Sequence, residues 1–221
     1  MCAIIDGMEE MKPKFFQKHP LLKDALSLIT FIFCVVVGTM FLNAFVFRSY
    51  NIVGGSMENT LLQDDRVIVN RLAVSWAHFV GEEYVPKRGQ MIVFATGAAS
   101  GKLTCDAPDN ITDLYIIKRV IAFPGERVVV KDFVMTIYND EHPNGFVYDD
   151  EWRVDDNNGP KKEVSGDVDM VVPEGELFVS GDNREGLNSK DSRNGLGTVP
   201  YCRIVGPVVM RIFPINRFSL F

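Results

Sequence analysis

The longest apolar segment of the chain is Ala25–Phe47, which carries no charged residue. At about 1.5 Å per residue, a helix of this length crosses the roughly 30 Å hydrocarbon core of a bilayer with room to tilt. Helices buried in soluble proteins are rarely apolar on every face over this length. A cleaved signal peptide has a shorter apolar region that ends in small residues, whereas Phe45-Val-Phe-Arg48 is bulky. The pattern therefore predicts a retained transmembrane helix over residues 25–47.

Basic residues are distributed unequally around this segment. One arginine, Arg48, follows it directly, and four lysines precede it, namely Lys12, Lys14, Lys18 and Lys23. Flanks rich in Lys and Arg stay in the cytoplasm, whereas long domains cross the membrane largely regardless of charge. We therefore expect a cytoplasmic segment 1–24 and an extracytoplasmic domain 48–221, held at the lipid bilayer of the plasma membrane by one helix.

After the apolar segment, short runs rich in β-branched and aromatic residues alternate with turn signals such as Pro-Gly and Asn-Gly. Long helical periodicity is hard to find in this part of the sequence. We therefore predict a mainly β domain. Within it, residues 133–175 form a more variable β excursion, and the polar stretch Asp149–Asp169 is its exposed part. The runs are 66–71, 90–95, 114–123, 127–131, 134–138, 176–180 and 204–212.

Composition limits the classes of function that fit the chain. The 221 residues carry a net charge of -6 at pH 7, which argues against a nucleic-acid partner because such proteins usually show a basic surface. With three histidines and four cysteines, none in a CxxC pair, we expect neither a metal site nor a cofactor. Cys105 and Cys202 both follow the apolar segment, and the sequence leaves open whether they form a disulfide or remain free thiols.

Two glycines precede a serine in Gly54-Gly55-Ser56-Met57, shortly after the apolar segment. Glycines let the backbone turn tightly and approach another chain closely, and such a turn can present a serine as a nucleophile. Taken alone, this motif is more typical of an ordinary turn, because Gly and Ser are common turn residues. A catalytic interpretation therefore depends on residues elsewhere in the chain.

Lys118 lies within the apolar run 114–123, beside a second cation, Arg119. Because side chains alternate along a strand, the two cations point to opposite faces, and at least one lies among apolar neighbours. Burial disfavours the ammonium form and lowers the pKa of a lysine, which can then act as a general base near neutral pH. The alternative is a lysine with a buried stem whose amine reaches solvent.

The segment from Ser180 to Gly195 is rich in Gly, Asn, Asp and Ser, which is typical of a surface loop. Its acidic and basic residues alternate, however, at positions Asp182, Arg184, Asp191 and Arg193. This order favours a loop held in place by ion pairs and side-chain hydrogen bonds.

These three stretches occur in the order found in bacterial type I signal peptidases, which the chain resembles from the membrane segment through nearly the whole domain. The motifs are Ser-Met-x-x-Thr-Leu at 56–61, Lys-Arg-Val-Ile-x-x-Pro-Gly at 118–125, and Gly-Asp-Asn-Arg with Ser-x-Asp-Ser-Arg between 181 and 193. The segments 65–72, 87–94 and 204–217 also resemble the family. The resemblance implies a signal-peptidase-like β-fold. It also implies a serine endopeptidase that removes signal peptides from exported preproteins by acyl-enzyme catalysis, cutting after small residues at Ala-x-Ala sites.

The resemblance also implies roles for individual residues. Ser56 would be the nucleophile and Lys118 the general base, a Ser–Lys dyad, while Ser189 would hydrogen-bond and orient the lysine amine. An ion-pair frame would hold the loop against the dyad. This frame would consist of Asp191, Arg193 and Arg119. Apolar pockets for the small substrate residues would be lined by Tyr50, Ile52, Met57, Ile116 and Ile117.

Three positions depart from the family pattern. Gly54 stands where some members have a serine whose hydroxyl helps to bind the oxyanion. We therefore expect the oxyanion to be bound by the backbone N–H of Ser56 together with a backbone donor or water at Gly54. Asn59 stands where the family often has proline. Two extra residues precede Ser189, which leaves Ser192 as the alternative partner of the lysine.

Two alternatives to this interpretation differ in testable features. Self-cleaving repressors share a Ser–Lys dyad, but they lack a membrane anchor and carry a DNA-binding domain. A membrane-tethered relative that acts only as a binding module should have lost Ser56 or Lys118, and the chain retains both. We therefore favour a peptidase that works as a monomer.

Overall fold

The structure is a computed structural model that describes residues 20–58, 60–96, 103–105, 114–148, 163–186 and 188–221, without the side chains of Pro20 and Lys23. The predictions about the lysines before position 19, about Asn59 and about most of the polar stretch after Asp149 concern residues outside these ranges. The chain divides into two compact units, Met1–Ala44 and Phe45–Phe221.

The smaller unit contains the apolar helix. Helix α1 covers Pro20–Phe41 and continues as one turn of π-helix over Leu42–Val46. The side chains described in α1 are exposed, and an 18-residue stretch within Asp24–Val46 has a mean hydropathy of 2.5. By length and composition this helix can cross a membrane. The stretch Asp24–Val46 begins and ends one residue before the predicted span 25–47.

The larger unit is built from antiparallel strands, which confirms the prediction of a mainly β protein with one N-terminal apolar helix. Strands form where β-branched and aromatic residues alternate between turns. Their bounds are β1 Phe47–Asn51, β2 Arg66–Asn70, β3 Met91–Ala95, β4 Tyr115–Ala122, β5 Arg127–Lys131, β6 Val134–Tyr138, β7 Phe146–Val147, β8 Val168–Val171, β9 Glu176–Ser180, β10 Val199–Pro200, β11 Ile204–Phe213 and β12 Ser219–Leu220. Short 3-10 helices cover Tyr201–Arg203 and Ile215–Arg217.

Two sheets are formed by the described strands. The first has the order β1-β2-β11-β3-β4-β9-β10, with β12 paired to β11. The second has the order β7-β6-β5-β8 and contains the hairpin of β5 and β6. Strand β4 leads from the first sheet into the second, since its last residues, Ile121 and Ala122, pack in the core of the second sheet.

Two apolar clusters lie on opposite faces of the first sheet, because side chains alternate along β3. Met91 and Val93 point into the first, here called the Met57 cluster, whereas Ile92 and Phe94 point into the second, the Phe94 cluster. The Met57 cluster comprises Ile52, Met57, Leu61, Val67, Val69, Met91, Val93 and Val208. The Phe94 cluster comprises Val74, Ile92, Phe94, Leu103, Val120, Leu177, Val179, Leu196, Val199, Tyr201 and Ile204.

Helix α2, Leu72–Val80, is a feature that the sequence analysis missed. Its first N–H, on Leu72, donates to Asn70 Oδ1 at 2.9 Å. It ends at Gly81, whose φ of 76° is the left-handed conformation that glycine adopts readily at helix ends. The helix has two and a half turns, which is too short to give a clear helical period.

Cys105 and Cys202 form a disulfide with a Cα–Cα distance of 5.8 Å, which answers the question that the sequence left open. The same region is held by Leu103, buried in the Phe94 cluster, and by Arg203 Nε, which donates to Thr104 O at 2.8 Å. The segment around Cys105 is thereby tied to the start of β11.

Candidate active site

Ser56 lies in a tight turn between β1 and the buried residue Met57. The N–H of Ile52 donates to Asp65 O at 2.8 Å, which extends the pairing of β1 and β2. Gly54 then takes a φ of 88°, a left-handed conformation that residues with a Cβ rarely adopt. Directly after Ser56, the Met57 side chain is only 2% exposed. The turn therefore presents the serine while its neighbour is fixed in the core.

Lys118 approaches Ser56 from β4. Its Nζ lies 2.6 Å from Ser56 Oγ, a hydrogen-bond distance, and the residue is only 3% exposed. Burial lowers the pKa of Lys118 to about 8, although the carboxylates of Asp191 and Asp182 oppose this effect. A substantial fraction of the amine is therefore neutral near pH 8 and can accept a proton from the serine.

The loop after β9 packs directly against the serine turn. The backbone N–H of Asn183 donates to Ser56 O at 3.1 Å, and its side-chain amide donates to Gly55 O at 3.1 Å. A Cβ at Gly181 would collide with Ser189 and with the Ser56 carbonyl oxygen. The absence of a side chain at Gly181 therefore allows the two segments to approach each other. Asn183 was not singled out in the sequence analysis, since one amide in an Asn-rich loop gives no distinct signal.

Around the loop after β9, the structure contains two separate buried ion pairs where the sequence analysis predicted one frame. Asp191 pairs with Arg193 at 2.8 Å and also accepts the Gly181 N–H at 2.9 Å. Burial opposes ionisation of Asp191, but the Arg193 guanidinium and the Gly181 N–H lower its pKa below the usual range. The prediction placed Arg119 in this same frame.

Arg119 instead pairs with Asp182. Its Nε and Nη2 lie 2.7 and 2.5 Å from the two carboxylate oxygens, a bidentate pair. Asp182 also accepts the Thr60 hydroxyl at 2.6 Å, four residues after the serine. The alternation of side chains explains the difference, because Arg119 points to the opposite side of β4 from Lys118. This pair therefore links β4 and the loop to the segment that follows Ser56.

Two serines were candidates for the residue beside Lys118. Ser192 Oγ accepts the Val179 N–H at 2.9 Å and donates to Gly197 O at 2.8 Å, so its hydroxyl is used to hold the loop. Ser189 is 1% exposed, and its Oγ makes no hydrogen bond of full geometry among the described residues, although the hydroxyl lies close enough to the Asp191 carboxylate to help lower the pKa of that group. The structure thus shows no bond from Ser189 to the lysine, but it leaves this buried hydroxyl available.

The residues predicted to line the substrate pockets divide between the two apolar clusters. Ile52 and Met57 belong to the Met57 cluster, and Tyr50 and Ile117 pack against it. Ile116 instead packs against the Phe94 cluster, because consecutive residues of a strand point to opposite faces. In the part of the chain that the structure describes, no group of three His, Cys, Asp or Glu side chains could hold a metal ion.

Comparisons with known proteins identify the family to which the chain is similar. The sequence model of the family described as "Signal peptidase, peptidase S26" matches residues 24–213. Signal peptidase I T of Bacillus subtilis strain 168 is 33% identical over 186 residues, which are 82% of this chain and 82% of the relative. Signal peptidase IB of Staphylococcus aureus strain Mu50 is 30% identical over 216 residues, 91% of this chain and 94% of the relative.

A solved structure of a signal peptidase I from Enterococcus faecalis V583 is also similar. It is 27% identical, covers 56% of this chain and 96% of its own, and superimposes with a TM-score of 0.39. Membership of the family follows from the sequence matches, which extend over most of the chain. The chain belongs to the signal peptidase family, peptidase S26.

Proposed function

We propose that this chain is a membrane-anchored serine endopeptidase that removes signal peptides from exported preproteins. The observation that carries the proposal is the 2.6 Å distance between Lys118 Nζ and Ser56 Oγ, with the amine buried and its pKa lowered to about 8. The relatives named above are signal peptidases, which supports the substrate class. A binding module without activity is not favoured, since it would have no need for this pair.

The proposed reaction uses Ser56 and Lys118 in two steps. In the first, Ser56 Oγ attacks the scissile carbonyl carbon while its proton passes to the neutral Lys118 amine. The tetrahedral intermediate then breaks its C–N bond, and the ammonium gives the proton to the departing amine of the mature protein. The signal peptide remains as an ester on Ser56. In the second step, Lys118 takes a proton from a water molecule whose oxygen attacks the ester carbonyl carbon. The C–Oγ bond then breaks, the ammonium returns the proton to Ser56 Oγ, and the signal peptide leaves with a free carboxyl group.

The oxyanion of each tetrahedral intermediate would be bound by the backbone N–H of Ser56 and by a donor or water at Gly54. The space around Gly54 is open, so a side chain would fit there, but the φ of 88° disfavours one. The left-handed backbone therefore supports the expectation that the serine hydroxyl of other family members is replaced here by a backbone or water donor.

An extended substrate would pair with the first half of β4. Strand β9 pairs with β4 from Arg119 onward, so among the described residues the edge Tyr115–Lys118 has no strand on that side. A peptide that adds to this edge would place alternate side chains against the Met57 cluster. Tyr50, Ile52, Met57 and Ile117 would then limit the depth of the pockets, which favours small residues such as those of an Ala-x-Ala site.

The proposed topology has segment 1–24 in the cytoplasm, a transmembrane helix near 25–47 and the catalytic domain 48–221 outside. The disulfide of Cys105 and Cys202 supports this orientation, because disulfides persist in oxidising compartments outside the cytoplasm. Since Ser56 and Lys118 come from one chain, we propose a monomer. The net charge of -6 supports the expectation that it has no nucleic-acid partner.

The proposal is tested by reconstituting the full chain in vesicles with a preprotein that carries an Ala-x-Ala site. The unchanged protein should release the mature protein, whereas Ser56→Ala should not, although its circular dichroism stays the same. Release by Ser56→Ala at the rate of the unchanged protein would contradict the assignment of the nucleophile. Failure of the unchanged protein to cleave any preprotein would contradict the proposed function itself.

A further inference from the structure

Asn183 donates hydrogen bonds to both peptide units that flank Ser56. Its backbone N–H donates to Ser56 O at 3.1 Å, and its side-chain Nδ2 donates to Gly55 O at 3.1 Å. The same Nδ2 lies 3.3 Å from Glu58 Oε2. Because a carbonyl oxygen and a carboxylate can only accept hydrogen bonds, the group that faces them is the NH₂ end of the amide. These contacts therefore determine which end of the Asn183 side chain points toward the serine turn.

The hydrogen bond to Gly55 O acts on the backbone N–H of Ser56. A peptide unit is planar and trans, so Gly55 O and the Ser56 N–H lie in one plane and point in opposite directions. A bond that orients the carbonyl therefore orients the N–H as well. It also polarises the amide, which strengthens that N–H as a donor. Asn183 thus acts on the group that is expected to bind the oxyanion in the proposed reaction.

The peptide unit between Gly55 and Ser56 has little support within its own turn. Two consecutive glycines precede Ser56, and glycine leaves the backbone free to rotate. Apart from the chain neighbours of Gly54, no described atom lies within 4 Å of the place that its Cβ would occupy, so packing does not hold this end of the turn. Inside the turn, Gly55 O accepts the Glu58 N–H at 3.1 Å. Asn183 adds a second bond from the loop after β9.

The loop that carries Asn183 is held by other bonds besides this side chain. The preceding residue, Asp182, pairs with Arg119 and accepts the Thr60 hydroxyl. Asn183 itself is only 6% exposed, and its Oδ1 has no hydrogen-bond partner among the described residues. An unpaired buried acceptor lowers stability, and an apolar side chain would avoid that cost. Docking of the loop therefore does not by itself explain an amide at this position.

We propose that Asn183 is a positioning residue for the oxyanion hole, which holds the Ser56 N–H toward the substrate oxygen that becomes negative; the inference rests on the proposed peptidase activity. Donors of an oxyanion hole accelerate a reaction because they are oriented before the charge develops. The demand on the Ser56 N–H is high in this chain, since a glycine stands at position 54 and brings no hydroxyl to share the charge. Asn183 supplies by orientation part of what that hydroxyl would contribute.

The first test measures cleavage by Asn183→Ala in the full chain reconstituted in vesicles. With a preprotein that carries an Ala-x-Ala site, kcat should fall by about 10–100-fold and KM should change by less than about threefold, because the lost orientation matters only when charge develops. The midpoint of the pH–rate profile should stay at about 8, since Lys118 keeps its surroundings. An unchanged kcat, or a midpoint that moves with the substitution, would overturn the inference.

A matched pair of inhibitors tests the oxyanion hole directly. One is a peptide that ends in Ala-x-alaninal. Ser56 Oγ adds to its aldehyde carbon, and the former carbonyl oxygen then lies in the oxyanion hole. The other peptide ends in alaninol and has no carbonyl group to attack. Asn183→Ala should weaken binding of the aldehyde by about the factor lost in kcat and leave binding of the alcohol unchanged. Equal losses for both peptides would mean that Asn183 shapes the site as a whole, which contradicts the proposed role.

Glu58→Gln is the matched control, because Glu58 Oε2 is the other acceptor near Asn183 Nδ2. This variant keeps the Glu58 backbone N–H and leaves Asn183 bonded to Gly55 O. It should lower neither kcat nor the affinity for the aldehyde. A loss as large as that of Asn183→Ala would show that the amide acts through Glu58 and not through the Ser56 N–H.

A second substitution covers the case in which Asn183→Ala does not fold. Asn183→Asp keeps the side-chain volume and the backbone N–H, but it places a carboxylate where the amide donates. Its kcat should fall at least as far as that expected for Asn183→Ala, with an unchanged circular dichroism spectrum. Full kcat in Asn183→Asp would refute the positioning role alone. Failure of the unchanged protein to cleave any preprotein would instead refute the proposed function.

Discussion

Lys118 and Arg119 are consecutive residues of β4, and both are largely buried, at 3% and 9% exposure. Arg119 faces Asp182 in a bidentate pair and also donates to Gly89 O at 2.6 Å. Lys118 faces the neutral hydroxyl of Ser56 at 2.6 Å. Two cations on the same strand thus have very different surroundings, one with a carboxylate in contact and one without.

The two surroundings have opposite effects on ionisation. Burial works against both charges, but for Arg119 the hydrogen bonds and charge of Asp182 outweigh it, and the pKa is raised. For Lys118, burial outweighs the more distant carboxylates of Asp191 and Asp182, and the pKa falls to about 8. The comparison shows that burial alone does not make a cation reactive. A carboxylate in contact makes Arg119 a structural charge, and its absence makes Lys118 a potential base.

Replacing Lys118 should have the largest effect on activity. Lys118→Met fills a similar apolar volume and removes the base, so kcat/KM should fall by a factor on the order of 10⁴ or more, as for other residues of catalytic units. Stability in urea should be unchanged or higher, because the variant no longer buries an amine. Full activity in Lys118→Met would mean that the lysine is only a structural neighbour of Ser56.

Replacing Arg119 should mainly affect stability. Arg119→Met leaves the Asp182 carboxylate buried without its partner, which should lower the free energy of unfolding by about 3–5 kcal/mol in urea denaturation. The double variant Arg119→Met/Asp182→Leu removes both charges and should recover much of that loss. If the single variant is as stable as the unchanged protein, the pair does not hold the loop, and the contrast with Lys118 fails.

Replacing Ser189 should mainly lower the rate of cleavage, whereas replacing Ser192 should mainly lower the stability of the fold. Ser189→Ala should lower kcat/KM by about 10–100-fold, because it removes the buried hydroxyl proposed to orient the lysine amine when substrate is bound. Ser192→Ala leaves the buried Val179 N–H without an acceptor, so it should cost about 1–3 kcal/mol of stability with a smaller change in rate. A larger loss of rate in Ser192→Ala would exchange the two roles.

The sequence predicts well those features that depend on local patterns. The apolar span and the strands follow from runs of one residue type, and Ser56 and Lys118 were identified because motifs in a defined order surround them. The mainly β fold is confirmed by the structure. Residues far apart in sequence, such as 56 and 118, come together through sheet pairing, so their 2.6 Å distance had to be measured on the structure.

The ion-pair partners of charged residues, and the face of the sheet to which each side chain points, were harder to predict. The spacing of charges in the loop suggested one frame of Asp191, Arg193 and Arg119, whereas the structure joins Arg119 to Asp182 across the fold. Ile116 was grouped with Ile117 as a residue lining the substrate pockets, but strand alternation sends it to the Phe94 cluster. Helix α2 was missed because its large apolar residues do not mark a core-facing side.

The pH dependence of activity follows from the lowered pKa of Lys118. Below about pH 8 the amine is protonated in the folded protein, so kcat/KM should fall tenfold for each further pH unit and level off above it. Stability should change in the same direction. The unfolded lysine titrates near about 10.4, so the cost of burying the ammonium is present below pH 8 and is relieved as pH rises between these two values.

Direct titration of Lys118 tests the central claim, that a buried lysine without a carboxylate in contact is a neutral base at the pH of the reaction. The full chain would be labelled with ¹³Cε-lysine, and the Lys118 resonance would be assigned by its loss in Lys118→Met. The Lys118 amine should titrate with a midpoint at about 8, matched by the midpoint of the pH–rate profile. A midpoint near the ordinary value of about 10.4 would contradict the claim.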